Sequence, residues 1–239
     1  MKTLQELLQP EDPAWPDVQE WIRGASVPVA ILPYAHPERE RCLEWLQVTT
    51  RSPLGAIAYE TGGLLVDHGW VRVLGSGHPR LSRSILGWNR GRSYTDGSDT
   101  RSHVLVADDV MGGLFALDCG GLGFKPGQVA YFPPDTLRWE SLDAGYSDFI
   151  NLILSERLAG FYADYRWDGW EPEVQSLDPN QAFLLTPPPF LKGEPFGKRQ
   201  RNAVPMAEHY GLSQDFAEQL REVPDGAEIV LRVGKRPAK

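Results

Sequence analysis

The sequence predicts an α+β protein: a twisted, mainly antiparallel sheet with helices packed against it. Strand-like runs cluster in mid-chain, with helical patterns before and after them, which is the order of a segregated α+β layout. Two apolar runs within Val104–Leu117 flank Met111-Gly112-Gly113, the punctuation of a hairpin. Beyond them, Ile150, Ile153, Leu154, Leu158, Phe161, Tyr162 and Tyr165 fall on one stripe at helical spacing.

Pro13-Ala14-Trp15 opens a first helix, with Trp15, Val18 and Ile22 on one side and Gly24 as its stop. Val27–Leu32 is a short extended segment. Pro37 sits in the first turn of a second helix, where its missing N–H is harmless, and Cys42, Trp45 and Leu46 form the apolar side. Ser52-Pro53, then Leu54–Thr61, then Gly62-Gly63 supply an N-cap, a proline at the first helical position and glycine past the end. Leu64–Val66 and Trp70–Leu74 read as two strands, or one bent strand, around His68-Gly69. The stretch from Gly75 to His103 is rich in Gly, Ser and Arg and reads as a long loop, a kind of segment that is often functional.

Strands resume at Val104–Ala107 and Gly113–Leu117, followed by a lone strand at Gln128–Phe132. One continuous helix is then expected from Ser147 through Tyr165, capped by Ser147 and with Asp148 at the positive end of its dipole. Past Trp167, Pro187-Pro188-Pro189 and Lys198-Arg199-Gln200-Arg201 look like surface linker. Ser213 caps a final helix carrying Phe216 and Leu220, and Ile229–Val233 is a last strand. The organisation expected is a core over residues 1–166 with a C-terminal extension, 167–239, docked on it.

A chain of 239 residues can bury roughly 70% of its unfolded surface and needs no staples. Hydrophobic residues at 41% and charged residues at 23% fit a soluble globular protein. A net charge of -8 argues against nucleic acid and against anionic membranes as partners, and would suit a basic protein. Cys42 and Cys119 have no metal or redox spacing, so no cofactor is expected and a reducing cytoplasm is. The N-terminus carries acids and prolines where a signal peptide needs an apolar run, and no run approaches the ~20 residues of a membrane span.

No nucleophile, metal or phosphate motif is announced. Asp67, His68, His78, His103, Asp108 and Asp109 are chemically suited to a metal, but no HxH, HxxxH or HExxH places two of them on one element. Turn chemistry also explains Asp67-His68-Gly69. Gly75-Ser76-Gly77-His78 lacks the ending of a phosphate loop, and no GxSxG elbow holds Ser76, Ser82 or Ser84. Arg72, Arg80, Arg83, Arg90, Arg92 and Arg101 make this the most basic region of an acidic chain, open to an anion or an acidic partner. Eight tryptophans suit either core or interface.

Leu54–Glu60, Gly62-Gly63, Leu64–Leu74 with Trp70, the Val104–Leu117 hairpin, Gln128–Phe132 and Tyr146-Ser147-Asp148-Phe149 follow in the order of one known pattern. From Leu32 to about Leu154 the chain resembles the SUKH superfamily, which implies an α+β fold and the class of immunity proteins that bind bacterial toxins. The whole chain, including LVDHGWVRVLGSGHPRL and WDGWE, is also similar to a bacterial family known only as a domain of unknown function.

The function expected is therefore a non-enzymatic cytosolic interaction module, monomeric or weakly dimeric, with a basic, toxin-like protein as its partner. Its candidate binding surface is Asp67, His68, Trp70, His78, Arg80, Arg83, Arg90, Asp108 and Asp109. The alternative is a small-molecule or anion-binding protein, or an enzyme, using Asp67, His68, His78, Arg80, Asp108 and Asp109. That alternative requires all six to converge in one pocket. If the arginines form a working surface, replacing Arg80, Arg83 and Arg90 together leaves stability nearly unchanged.

Overall fold

The computed structural model describes residues 1–34, 37–95 and 101–224. Helix α1 (Leu4–Leu7) opens on a capping box between Thr3 and Glu6. α2 (Trp15–Arg23) carries Pro16 in its first turn and closes at Gly24. Strand β1 (Val29–Pro33) and α3 (Glu38–Leu46) follow. In α4 (Pro53–Glu60) the Ser52 hydroxyl accepts from Gly55 N at 3.0 Å, as its cap signature predicts.

Gly62 and Gly63 do not form a turn. α4 runs directly into β2 (Thr61–Val66), which contains both. A Cβ on Gly62 would lie 2.4 Å from the Pro33 carbonyl oxygen and 2.6 Å from that of Gly77, so glycine here permits close backbone approach. A single 3₁₀ turn, Asp67–Gly69, joins β2 to β3 (Val71–Leu74).

The region expected to be a long loop holds α5 (Ile85–Asn89), capped by Ser84. Buried Asn89 gives Nδ2–H to the Leu105 carbonyl at 2.9 Å and takes the Leu105 N–H at 2.8 Å, copying a strand neighbour. Then come β4 (His103–Asp109), β5 (Leu114–Asp118), β6 (Gln128–Phe132) and β7 (Glu140–Gly145). α6 (Tyr146–Leu154), α7 (Arg157–Phe161) and α8 (Trp170–Ser176) lead to the hairpin β8 (Gln181–Thr186) and β9 (Gln200–Pro205), and to α9 (Met206–Leu220).

The fold is α+β. Strands β1 to β7 form one seven-stranded antiparallel meander in sequence order, beside the separate β8–β9 pair. Consecutive strands pairing by short connections is the commonest way to close such a sheet. In register, Val71 faces Asp109, Arg72 faces Asp108 and Val73 faces Ala107. Strand alternation therefore sends Arg72 and Asp108 to one face and Asp109 to the other. On the Asp109 face, Phe115 stacks on Tyr131 (ring centroids 4.6 Å) and packs at a tilt against Phe149 of α6 (4.8 Å). On the Arg72 face, the Phe183 N–H of β8 meets the Val110 carbonyl at 2.6 Å, and Met206 Sδ lies 3.8 Å from Arg72.

Four further expectations are corrected. The long helix breaks: α6 ends at Leu154, Ser155 turns extended, and α7 restarts at Arg157. The Leu154 carbonyl takes the Ser26 N–H at 2.8 Å, so an outside donor replaces the helical one. The stripe survives the break, with Ile150, Ile153, Leu154, Leu158, Tyr162 and Tyr165 all buried. Ser147 is no cap, because Gly145 holds that place and its N–H reaches Asp148 Oδ2 at 3.4 Å.

The supposed linker run contains buried Arg199, which donates to the carbonyls of Glu194 (2.7 Å), Leu191 (2.9 Å), Pro187 (3.1 Å) and Pro188, stitching the proline segment down. Ser213 lies mid-helix in α9, its Oγ 3.2 Å from His209 Nδ1. The strand expected over Ile229–Val233 lies outside the described residues.

Candidate functional site

The nine residues drawn as one surface do not form one. Asp108 is fully buried and joins two guanidinium groups: its Oδ1 accepts from Arg72 Nε at 2.7 Å, and Arg83 closes on both carboxylate oxygens. Arg83 also donates to the Pro179 carbonyl at 2.8 Å and sits 4.8 Å over the Trp88 ring. This is a buried network, not an exposed patch.

Asp109, behind the sheet, accepts Met111 N (2.8 Å) and Gly113 N (2.9 Å) on one oxygen, and the hydroxyls of Tyr131 (2.7 Å) and Tyr162 (2.9 Å) on the other. Burial nonetheless pushes its pKa up. The same burial raises Tyr131 and Tyr162, so both phenols stay protonated as donors. Asp109 therefore ties the β4–β5 hairpin to the α7 side and takes no part in a site shared with Asp108.

Asp67 pairs with Arg166, whose guanidinium lies 5.0 Å over Trp70 and 4.3 Å over Trp170. Trp70 is fully buried among Tyr162, Trp167 and Trp170. His78 Nδ1 accepts the Arg80 N–H at 3.1 Å, and its backbone pairs with Leu81 in a tight turn. Arg90 is exposed just after α5. The six-residue convergence required of the alternative site does not occur, because adjacent strand positions cannot face the same way.

A smaller constellation does converge. His68, Arg72 and Arg80 line a cleft of about 280 Å³, open solvent at its mouth included, together with Leu65, Gly69, Val110, Val174, Gln175, Leu177, Asp178 and Pro179. Its floor belongs to the sheet, and its far wall to the segment after α7. Arg72 within it is 0% exposed, and burial pushes its pKa down against the pull of Asp108. Nε is engaged by Asp108 and Nη2 by a thioether, while Nη1 is buried without any hydrogen-bond partner. An unmet guanidinium N–H in a protein interior carries a desolvation penalty that calls for an acceptor.

His68 belongs to a run of left-handed backbone, with φ of 53° at Asp67, 62° at His68 and 93° at Gly69. Such strain concentrates at sites where a side chain must be aimed. Gln175 Nε2 meets His68 Nδ1, so the neutral ring carries its proton on Nε2 and donates from there. Arg80 is exposed at the rim and forms no ion pair among the described residues. Asp178 is exposed as well, its Oδ1 held by Asn180. Sequence reasoning named His68 and Arg80 but missed Arg72 as a site residue, and all of the 174–179 wall. One signal was present: an arginine inside the apolar run Val71–Leu74 needs a buried acid, and Asp108 interrupts the next apolar strand.

Among the described residues, no three His, Cys, Asp or Glu side chains group so as to hold a metal ion. Nor is any helix there long and apolar enough to cross a membrane. Both cysteines are free, Cys42 buried with its thiol pushed up to about 12 by desolvation.

Buried His209 packs beside this network, and burial, followed by the charge of Arg72, lowers its pKa to about 4. The folded state refuses a proton that the unfolded chain accepts near 6.5, so stability is full above that pH and falls as pH drops toward about 4. Urea denaturation across this window should show the loss, and His209→Gln should flatten it. An unchanged slope in that variant would assign the loss to other groups.

Comparison with known proteins places the chain. Residues 4–209 match the family model described as a protein of unknown function, DUF2625. The Escherichia coli K12 protein YbfG, described as uncharacterised, is 40% identical over 222 residues, covering 93% of this chain and 100% of that one. An uncharacterized protein of Haemophilus influenzae is 36% identical over 220 residues, covering 92% and 96%. The chain belongs to the DUF2625 family.

Proposed function

We propose that this DUF2625 member is a non-catalytic binding protein that takes a small anion in the His68–Arg72–Arg80 cleft. The observation that carries the reading is the meeting of three basic side chains, His68, Arg72 and Arg80, on one cleft. The charge on that face supports it, since Arg72 and Arg83 share the single carboxylate of Asp108. Asp109 adds little compensation, because it lies behind the sheet and burial moves it toward its neutral form. No nucleophile–base pair stands at the cleft, which favours binding over turnover. A cytoplasmic location goes with the reading, supported by two unpaired thiols, as does a unit over residues 1–166 whose extension supplies the cleft's outer wall.

The test is a melting-temperature screen with chloride, phosphate, sulfate and acetate at constant ionic strength. A ligand at 100 times its Kd stabilises the fold by about 2.7 kcal/mol. At least one anion should raise the midpoint of the wild type and not of Leu177→Trp, which fills the cleft from its half-buried wall. Equal shifts in both, or none in either, would remove the anion reading.

A second reading, the interaction module, keeps one specific support. β1 is an edge strand, pairing with β2 alone among the described residues, and Ile31 on it is 41% exposed, with Tyr34 just beyond at 40%. Open edges accept a partner's strand. The SUKH resemblance and the acidic net charge suggest a basic, toxin-like partner for a monomer or weak dimer. A charge such as Ile31→Lys should abolish capture of such a partner without lowering the melting temperature. Capture unaffected by the variant would exclude this edge.

A further inference from the structure

We infer that β1 pairs edge to edge with β1 of a second copy of this chain, antiparallel about a twofold axis at Ala30, so that two sheets join into one. The inference goes beyond the anion reading, since no residue of β1 lines the cleft. Backbone, side chains and charge each bear on it.

The Pro28 carbonyl accepts the Asp67 N–H at 2.7 Å, and Ala30 and Leu32 stand opposite Leu65 and Gly63 in the same ladder. Alternation along an antiparallel pair therefore turns the polar groups of Pro28, Ala30 and Leu32 toward β2, and those of Val29 and Ile31 toward the open side. Pro33 has no N–H, and its carbonyl lies against Gly62, where the register shifts. The open edge thus presents one N–H and one C=O at each of Val29 and Ile31. Antiparallel pairing centred on Ala30 sets Val29 opposite Ile31 of the second copy, and Ile31 opposite its Val29. Every one of those groups is then met, and none is left over.

The side chains fit the same register. Ala30 and Ile31 are exposed and Val29 is half-buried. Ala30 meets its own counterpart at a non-hydrogen-bonded position, where Cα atoms approach to ~4.5 Å and a small residue fits. On the other face Ile31 packs against Val29 of the second copy, two β-branched side chains suited to a pleated surface. Apart from Met1, the exposed large hydrophobic residues among those described are Ile31 and Tyr34, and both lie at this edge.

Charge selects the occupant. Sheets protect open edges with charged side chains, and β7 carries Glu140 and Asp143, both exposed. β1 reads VAILP and carries none. Arg39 stacks on Tyr34 just past the strand and pairs with Glu40 at 3.3 Å, Arg41 pairs with Glu38 at 2.9 Å, and Asp67 pairs with Arg166. Glu60 adds one carboxylate at the end of α4. Two copies of a chain with net charge -8 therefore meet here with little repulsion, and a basic protein finds little to attract it. The pairing is closed, because it uses the β1 edge of both copies and charged β7 stops growth at the far side. A strand of five residues, against the ~20–30 residues a side of a standard interface, makes the dimer a weak one.

Sedimentation velocity of the purified wild type over a concentration series should show a reversible monomer–dimer shift. Ala30→Arg sets two like charges face to face on the axis. It should weaken the dimer at least about tenfold, one decade in Kd. Its thermal melt by circular dichroism should be unchanged, because Ala30 is exposed. Ile31→Lys is the second variant and should act in the same way.

Crosslinking in a Cys119→Ser background, which removes the exposed native thiol, reads the register. Ala30→Cys should form an intermolecular disulfide on mild oxidation, since residues paired at that position fall within the ~4.4–6.8 Å Cα range of the bond. Ile31→Cys should not, because its counterpart lies two residues away in this register. A wild type that stays monomeric at every concentration overturns the inference and leaves the edge to the basic partner of the second reading. A dimer that survives both charge substitutions overturns it by placing the interface elsewhere. Crosslinking through Ile31→Cys and not through Ala30→Cys overturns it by rejecting the register.

Discussion

Asp108→Ala should cost about 3–5 kcal/mol of folding stability, because removing one partner of a buried ion pair leaves uncompensated charge. Here the residue is fully buried and two guanidinium groups lose their acceptor together. Arg83→Ala should cost about 1.5–3 kcal/mol, the range for hydrogen bonds to charged groups, since it removes the Asp108 pair, the bond to the Pro179 carbonyl and the contact over Trp88. Arg80→Ala, exposed at the rim, should stay within about 0.5 kcal/mol. The triple replacement of Arg80, Arg83 and Arg90, expected from sequence to be silent, should therefore unfold early, and Arg83 alone should account for it. Ile153→Ala, fully buried on α6, remains at about 2–5 kcal/mol. Urea denaturation of the four single variants separates these cases. A loss below about 1 kcal/mol for Asp108→Ala would mean that the two arginines find other acceptors, and the charge argument for the cleft would fall with it.

The arginine segment shows why part of this architecture was legible and part was not. Helices α2, α3 and α4 announce themselves through Pro13-Ala14-Trp15 with the Gly24 stop, Pro37 and the Ser52-Pro53 cap, because these act through local backbone chemistry. The central strands were found as apolar runs, but their faces were not, since β2, β3 and β4 are covered on both sides and show no alternation to read. Arg72 and Asp108 become partners only through the β3–β4 register, a relation between positions 36 apart that composition does not encode.

β7 was missed for the opposite reason: ESLDAG is mostly polar and half-exposed, as a sheet edge should be. Likewise the 174–179 wall of the cleft has no motif. It matters only because the chain after α7 returns to the Arg72 face, where Arg83 binds the Pro179 carbonyl and Ser82 binds Asn180. The site is thus tertiary. Two of its residues, His68 and Arg80, are candidates in the sequence, but nothing local separates them there from turn and loop residues.

The β4–β5 hairpin tip carries the second large effect, and it tests whether the C-terminal segment is held where the cleft requires. Gly112 has a φ of +85°, which strains any L side chain, and a Cβ built there would sit 1.9 Å from the His209 ring. Neither contact can relax cheaply. The Asp109 carboxylate grips the turn on both sides through Met111 N and Gly113 N, and buried His209 is fixed on α9 beside Ser213. Gly112→Val should therefore cost about 3 kcal/mol or more, as backbone strain of 1–3 kcal/mol adds to an overpacking cost of similar size. The damage should be directional. α9 and the β8–β9 hairpin would lift from the Arg72 face, exposing it, so limited proteolysis should cut within residues 177–209 before the meander is touched. Pairing Gly112→Ala with His209→Ala provides the control, because removing the ring should relieve the clash and leave only the positive-φ strain. If the pair is no more stable than Gly112→Ala alone, the imidazole is not what meets the tip, and the packing of α9 against this hairpin would have to be redrawn.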